Sequence, residues 1–252
     1  MKKLLFKVAS VISVIWRLIP FSMRKHIFLA LFIFESRSKS TAKSLGRLFE
    51  VEDELSLVMN ERAIAYGEGE HPKHKLTNYH DFFIQNLSDC KRIIDLGCGY
   101  GAVARSIAIA YPQSFVMGID NNIERLEQAQ KAKNPLNVQF QLADIYDYEC
   151  EPFDAVVLSN VLEHIERRDE FLKQIMKTTK AKKILIRVPN FERHWSIPLR
   201  KALGVNYFQD SDHKIEHTLV EFKTEIIDAG LNLETVLICW GEIWGVCMNN
   251  AK

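Results

Sequence analysis

The chain has no acidic residue before Glu35, no Cys-x-x-Cys pair, no internal repeat and no apolar run of the roughly 18–20 residues that a membrane span needs. Each absence excludes something. Without a long apolar run, the chain is not a polytopic membrane protein. Its five cysteines (Cys90, Cys98, Cys150, Cys239 and Cys247) are scattered and odd in number, so it is neither a disulfide scaffold nor a zinc ribbon, and a reducing cytoplasm is the expected compartment. With only 11 glycines and 7 prolines in 252 residues it is not collagen-like. A hydrophobic fraction of 47% and a charged fraction of 26% exclude a wholly disordered chain. The length suits about one to two domains.

Charge is what the chain spreads unevenly. It has 33 Lys plus Arg against 32 Asp plus Glu, a net +1. Six of those bases, Lys2, Lys3, Lys7, Arg17, Arg24 and Lys25, precede the first acid. The first 34 residues are therefore +6, and the 27 remaining bases face all 32 acids, a net −5. Such asymmetry marks an interaction arm. Leu4, Leu5, Val8, Val11, Ile12, Ile15, Leu18 and Ile19 recur at helical spacing, with Lys3, Lys7, Ser10 and Arg17 opposite them. Pro20 ends or kinks this basic amphipathic helix, and a second apolar run, Ile27 to Phe34, follows. Basic charge on one face and Trp16 near the end fit a helix lying in a membrane interface. The alternative is packing against the protein's own core or a second subunit. Lys7 interrupts the apolar stretch and no clean small-x-small site follows, which argues against a signal peptide.

Residues 35–89 read as a helical cap or linker, with helical periodicity at 45–64 and 76–87 around a turn-rich stretch containing Gly67, Gly69 and Pro72. From residue 90 to 252 short apolar runs alternate with helical segments. The runs are 92–96, 115–119, 138–142, 153–158 and 183–188, and the helical segments are 103–110, 123–133 and 168–178. That grammar predicts βαβ units and a parallel sheet. A helix over 219–229 ending at Gly230 and two strand-like runs around Gly241-Glu242 predict a terminal hairpin.

The most informative stretch is Ile93-Ile-Asp-Leu-Gly-Cys-Gly-Tyr-Gly101, a strand feeding a glycine-rich turn and then a helix. Gly97, Gly99 and Ala102 satisfy a dinucleotide fingerprint. Three carboxylates change the reading. Asp95 at the strand end repels a pyrophosphate and suits an ammonium group. Asp120, ending the next strand, suits two ribose hydroxyls. Asp144, ending the third beside Ile145, suits an adenine amine and face. A ligand with a cationic amino-acid end, a ribose, an adenine and no phosphate is S-adenosylmethionine.

With these motifs in order the chain resembles the class I S-adenosylmethionine-dependent methyltransferases over about residues 90–250. They are Asp95 to Gly101, Gly118-Ile-Asp-Asn-Asn122, Ala143-Asp-Ile145 and Leu158-Ser-Asn-Val-Leu-Glu-His-Ile165. The resemblance implies an α/β, Rossmann-like seven-stranded mostly parallel sheet with a C-terminal antiparallel hairpin, here carrying an N-terminal helical extension. It implies S-adenosylmethionine as cofactor, held by Asp95, Gly97, Cys98, Gly99, Gly101, Asp120, Asn121, Asp144, Ile145 and Asn160, with the residues after strand four at the reaction centre.

Methyl transfer to a hydroxyl needs placement, water exclusion and a group to take the proton. Glu163 and His164 are the first candidates and His213 the next, with His217 beside it. Related methyltransferases carry a Glu-x-x-Glu-His metal motif, but the first position here is Asn160, so no metal is expected. His71, His74 and His80 lack a completing cysteine or carboxylate and are expected near the cofactor or substrate entrance. The segment 190–209, rich in aromatics and bases, is expected to cover the substrate.

Five further stretches resemble methyltransferases of cell-surface polysaccharide synthesis: Glu70 to Lys75, Tyr79 to Phe83, Arg187 to Asn190, Asp212-His213 and Trp240 to Trp244. The expected acceptor is a sugar hydroxyl in a cell-surface glycan or lipid-linked intermediate. The alternatives are a quinone or lipid O-methyltransferase and a non-catalytic, membrane-tethered cofactor-binding module. Expected partners are a small-molecule or glycan substrate and, through residues 1–34, the inner face of a membrane; nucleic acid is not expected.

Overall fold

A computed structural model describes residues 12–68, 71–146, 148 and 151–249. The arm residues Lys2, Lys3, Leu4, Leu5, Lys7, Val8, Ser10 and Val11, together with Gly69, Glu70 and Cys150, lie outside the described residues.

The described residues form two compact units, one within 12–62 and 200–206, the other within 63–199 and 207–249. The sequence pattern puts its divisions at 34/35 and 89/90. In the first unit residues 12–16 are helical, and a turn precedes α1 (Phe21–Ser36). Pro20 stands at the N-cap of α1, where its missing N–H costs nothing. No residue of α1 is buried. The second helix, α2 (Thr41–Tyr66), buries Ser44, Gly46 and Phe49. Arg200 anchors this unit. Its guanidinium stacks 4.4 Å from the Phe49 ring centroid and pairs with Glu52 at 2.8 Å and Asp53 at 3.0 Å.

The second unit opens with α3 (Lys73–Thr77) and α4 (Tyr79–Gln85). The sequence pattern predicts turns through Lys75 and one helix over 76–87. Asn78 in the left-handed region, φ 50°, breaks it, a conformation asparagine tolerates better than most residues. Then follow β1 (Arg92–Leu96), α5 (Ala102–Ala110), β2 (Phe115–Asp120), α6 (Ile123–Lys131), β3 (Val138–Leu142), β4 (Ala155–Ser159), α7 (Arg168–Thr179), β5 (Lys183–Pro189), α8 (Ser196–Leu203), α9 (Leu219–Asp228), β6 (Leu231–Cys239) and β7 (Glu242–Asn249).

The sheet order is β3-β2-β1-β4-β5-β7-β6. Strands β1 to β5 pair in parallel, and β7 runs antiparallel to both β5 and β6. This is a seven-stranded, mostly parallel Rossmann-like sheet with an antiparallel hairpin at its C-terminal edge. The hairpin turns at Trp240-Gly241, one residue earlier than the sequence pattern predicts, with both residues at positive φ.

The central strands are apolar without alternation because both faces are covered. Ile94, Leu96, Val156 and Leu158 join Phe171, Leu172 and Phe222 on one face. Ile93, Val116, Val157 and Leu185 join Phe83, Ala104 and Ile107 on the other. Helices begin where side chains satisfy the first free N–H groups. Asn122 Oδ1 accepts from Arg125 N ahead of α6, and Thr218 and Glu221 form a reciprocal capping box on α9. Strand order reverses between β1 and β4, so the crevice at their carboxyl ends is where this topology holds a ligand.

Candidate functional site

That crevice is a cavity of about 960 Å³. The loop after β1 forms its floor. Asp95 lies opposite Gly118 of β2 and Val157 of β4, which puts its carboxylate at the heart of the sheet. Its fractional exposure is 1%, and neither oxygen has a hydrogen-bond partner among the described residues. Burial pushes its pKa up to about 7; the nearby Ala104 amide opposes the rise and the Asp120 carboxylate adds to it. Leaving a buried carboxylate unpaired costs a fold several kcal/mol. Ionised and without a cation against it, this carboxylate destabilises the fold.

The loop itself is tightly held. Cys98 N donates to Ile119 O at 2.9 Å, and Gly101 N to Cys98 O at 2.8 Å. Gly99 N donates to Asp120 Oδ2 at 2.7 Å, while Asp120 Oδ1 accepts from Asn122 N at 2.8 Å. Asp120 thus braces the loop from the neighbouring strand end. Gly97 and Gly101 sit at φ 71° and 72°. A Cβ on Gly101 would lie 2.5 Å from the Phe140 ring and one on Gly97 would lie 2.7 Å from Val161. Only glycine lets the chain turn here and pass so close to its neighbours.

Asp95, Gly97, Cys98, Gly99 and Asn160 line this cavity together. Asn160 has φ 58°, and its Oδ1 is buried without a partner among the described residues. Gly101, Asp120, Asn121, Asp144 and Ile145 do not line it. Gly101 turns the chain into α5. Asn121 is exposed next to Asp120. Asp144 is exposed, with Oδ1 accepting from Tyr146 N at 2.9 Å, and Ile145 packs on the core.

The opposite wall is basic and hydrogen-bonding. His71, His74, Tyr79 and His80 line it. Tyr79 Oη lies 2.7 Å from His74 Nδ1, His74 Nδ1 lies 3.3 Å from His80 Nε2, and His80 Nδ1 lies 2.7 Å from Ser106 Oγ. Burial, with nearby positive charge from His74, Arg187 and Arg105, takes the His80 pKa down to about 4, so this ring is neutral at pH 7. Lys73, Lys75, Arg125 and Lys133 also line the cavity, and no ion pair holds any of them among the described residues. Burial, with Arg187 nearby, lowers the Lys73 pKa. Ser106 and these bases are not singled out as site residues by the sequence. A signal exists for Ser106, because Ala102, Val103, Ser106 and Ile109 all face the cavity at helical spacing on α5.

Beneath the wall lies a buried ion pair. Arg187 Nε and Nη2 donate to Glu242 at 2.6 and 2.7 Å, Nη1 donates to Ser159 Oγ at 3.0 Å, and the guanidinium lies 3.8 Å from the Tyr79 ring centroid. Trp244 Nε1 donates to Glu242 at 2.9 Å. Three stretches separate in sequence, around Tyr79, Arg187 and Trp244, meet in this one contact.

Glu163, His164 and His213 gather elsewhere. One ligand-type atom from each lies within 4.8 Å of the others, a spacing that can hold a metal ion. Glu163 is fully buried with neither oxygen partnered among the described residues, and burial pushes its pKa up to about 8. His164 Nδ1 lies 3.1 Å from Asp212, its ring meets that of His213 edge-on at 4.7 Å, and burial lowers its pKa. His213 Nδ1 lies 2.8 Å from Glu216 Oε1. Burial alone would raise the Glu216 pKa. Contacts from His213, the Gln209 amide and Arg193 outweigh burial and lower it. His164 opens on a smaller cavity of about 360 Å³ with Tyr146, Glu166 and Lys214. His217 is a structural residue, fully buried, with Nε2 2.9 Å from Glu225, which Arg168 also clamps.

A family model described as a methyltransferase domain matches residues 87–227. N-methyltransferase 4 of Papaver somniferum is 27% identical over 149 residues, covering 57% of this chain and 40% of that protein. The carboxy-S-adenosyl-L-methionine synthase of a Nitratiruptor species is 26% identical over 147 residues, 55% of this chain and 59% of that one. The chain spans less than two thirds of the length of these curated relatives. Among solved structures, human N-acetylserotonin methyltransferase in complex with SAM has a TM-score of 0.58 at 17% identity, covering 76% of this chain and 57% of that one. The methyltransferase domain of bacterial CtHen1-C has a TM-score of 0.55 at 18% identity, covering 69% of this chain and 97% of that one. These likenesses show the fold.

Proposed function

Because the chain belongs to the class I S-adenosylmethionine-dependent methyltransferase family, we propose that it transfers a methyl group to a hydroxyl of an anionic, sugar-containing acceptor in a cell-surface glycan or lipid-linked intermediate. One observation carries the cofactor half of this reading. Asp95 is a buried carboxylate without a partner among the described residues, at the mouth of a glycine loop, and the ammonium of S-adenosylmethionine is the cation that completes it. Gly97, Cys98, Gly99 and Asn160 take the rest of the methionine end. We assign the ribose to Asp120 with Asn121 and the adenine to Asp144 and Ile145; these lie outside the 960 Å³ cavity, so the cofactor would run from Asp95 past the end of β2 toward that of β3. When bound, the cofactor supplies a methyl group already activated on a sulfonium.

The chain's own work is placement and proton handling. The acceptor oxygen gains the methyl carbon and loses its proton. We assign that proton to Glu163 and His164, which follow Asn160 along the turn after β4, and to His213, whose ring meets that of His164 at 4.7 Å; Asn160 joins this turn to the cavity that Asp95 lines. The contact with Glu216 fixes the orientation of the His213 ring.

The acceptor wall supports the substrate class. Four bases without ion-pair partners among the described residues face the cavity beside a row of hydrogen-bonding rings, and Asp95 is the only acid among the described residues that lines it with them. A protonated amine acceptor meets repulsion from such a wall, whereas a phosphate- or carboxylate-bearing sugar meets attraction. An apolar quinone leaves those polar groups unmatched.

The test is mass spectrometry of glycans and lipids from cells with and without the protein. The expected difference is an anionic sugar species lacking one methyl group. A missing methyl on a quinone, a neutral lipid or an amine overturns the substrate class. Purified protein that binds the cofactor and turns over no extract overturns catalysis itself.

A further inference from the structure

The geometry points to helix α1 as a docking element for an anionic lipid surface, lying along the headgroup layer. Its carrier is an apolarity that the described fold leaves uncovered. None of the 16 residues of α1 is buried. Its nine large apolar side chains, from Phe21 and Met23 through to Phe34, are all exposed. Residues 27–34 are eight consecutive apolar positions, and at 3.6 residues per turn eight positions circle the helix twice. The one-sided helix that the sequence pattern predicts runs from Leu4 to Ile19, mostly outside the described residues, and α1 holds the second apolar run. Within α1 the apolar surface runs all the way round. A helix apolar all round is buried all round, in a protein core or among acyl chains, and the bases at its ends decide between the two.

Charge selects the surface. Arg24 and Lys25 stand in the first turns of α1, and Arg37, Lys39 and Lys43 follow its end. The acid between them, Glu35, is already paired with Arg47 at 2.7 Å. Bases at both ends hold both ends at the headgroups, so the helix lies along the leaflet. Its 16 residues span about 24 Å, short of the roughly 30 Å of a bilayer core. No helix among the described residues is long and apolar enough to cross a membrane. Trp16, whose ring packs edge-on to Phe28 at 5.9 Å, joins the preceding helical turn to the same surface, in the position that suits a ring at a membrane–water boundary.

The inference stands apart from the methyl-transfer reading, and its experiment uses no cofactor. The full chain is floated with vesicles of phosphatidylcholine alone and with vesicles that also contain phosphatidylglycerol. The expected result is partition to the anionic vesicles at least about tenfold above the neutral ones, falling as salt rises. The double substitution Arg24→Glu with Lys25→Glu removes that preference. Leu29→Asp with Phe32→Asp removes binding to both. Lys25, Leu29 and Phe32 are exposed and Arg24 is half-buried, its guanidinium 5.6 Å from the Phe21 ring centroid, so circular dichroism stays that of the parent. Three results overturn the proposal. The parent protein floats with neither vesicle, it floats equally with both, or light scattering without lipid shows a dimer that Leu29→Asp with Phe32→Asp dissolves. The last makes a second copy the occupant.

Discussion

Replacing Asp95 with asparagine separates what this residue costs the fold from what it does for a ligand. In the folded chain its pKa is about 7, against an ordinary value of 3.8. The folded state therefore holds this proton more tightly than the unfolded chain does. Stability is greatest while the carboxyl is protonated, and it falls as pH rises from about 4 to about 7. The gap corresponds to about 4 kcal/mol once ionisation is complete, of which about 1.5 has accrued by pH 5. An asparagine in the same place leaves an unpaired neutral amide, at about 1–3 kcal/mol and independent of pH. Asp95→Asn is thus expected to make the ligand-free protein more stable than the parent by roughly 1–3 kcal/mol at pH 8, with the advantage gone at pH 5. The assay is urea unfolding of the full chain at both pH values. Saturating S-adenosylmethionine, at about a hundred times its dissociation constant, adds about 2.7 kcal/mol to the parent and nothing to the variant. A variant less stable than the parent at pH 8, or one that the cofactor still stabilises, refutes the reasoning.

Other consequences follow from the same geometry. Cofactor affinity measured by calorimetry weakens about tenfold per pH unit below pH 7, because binding requires the ionised Asp95 and protonation competes; a flat profile between pH 5 and 7 would falsify this role. Gly101→Ala forces a Cβ to 2.5 Å from Phe140 at φ 72°, and is expected to lower stability by about 1–3 kcal/mol with a measurable loss of cofactor affinity. Glu242→Gln strands the buried Arg187 charge and lowers stability by about 3–5 kcal/mol, read from the urea midpoint, while Arg187→Met with Glu242→Gln together recover part of that loss. His213→Ala is expected to reduce turnover of the acceptor by about 10²–10⁴ with cofactor affinity unchanged; equal losses in both make it a structural residue.

The sheet was legible because its central strands are buried on both faces, and continuous runs such as Ile93 to Leu96 and Ala155 to Leu158 stop at glycine or polar residues. The glycine loop was legible because all its parts are local in sequence. Asn78 hid its break because it falls inside the helical periodicity of 76–87, and an asparagine in the left-handed region leaves no apolar signature. The basic wall was not legible. Lys73, Arg125 and Lys133 come from three separate segments, and only the crossover geometry brings them to one cavity. The pairing of Arg187 with Glu242 spans 55 residues and depends on β7 inserting between β5 and β6. The encirclement of α1 by apolar side chains was present in the sequence, but it emerged only once the helix was seen to bury nothing.

That insertion of β7 sets an order of assembly. Among the sheet's strands β7 is made last, yet it fills an interior position and carries the carboxylate that neutralises Arg187 under Tyr79. A chain still emerging from the ribosome reaches residue 189 with the glycine loop and five parallel strands already made. It still lacks the counter-charge for the arginine that props the basic wall. Until Glu242 arrives, burying that arginine beneath Tyr79 leaves its charge unpaired, at a cost of several kcal/mol, so the basic wall is completed only when the last strand is threaded into place.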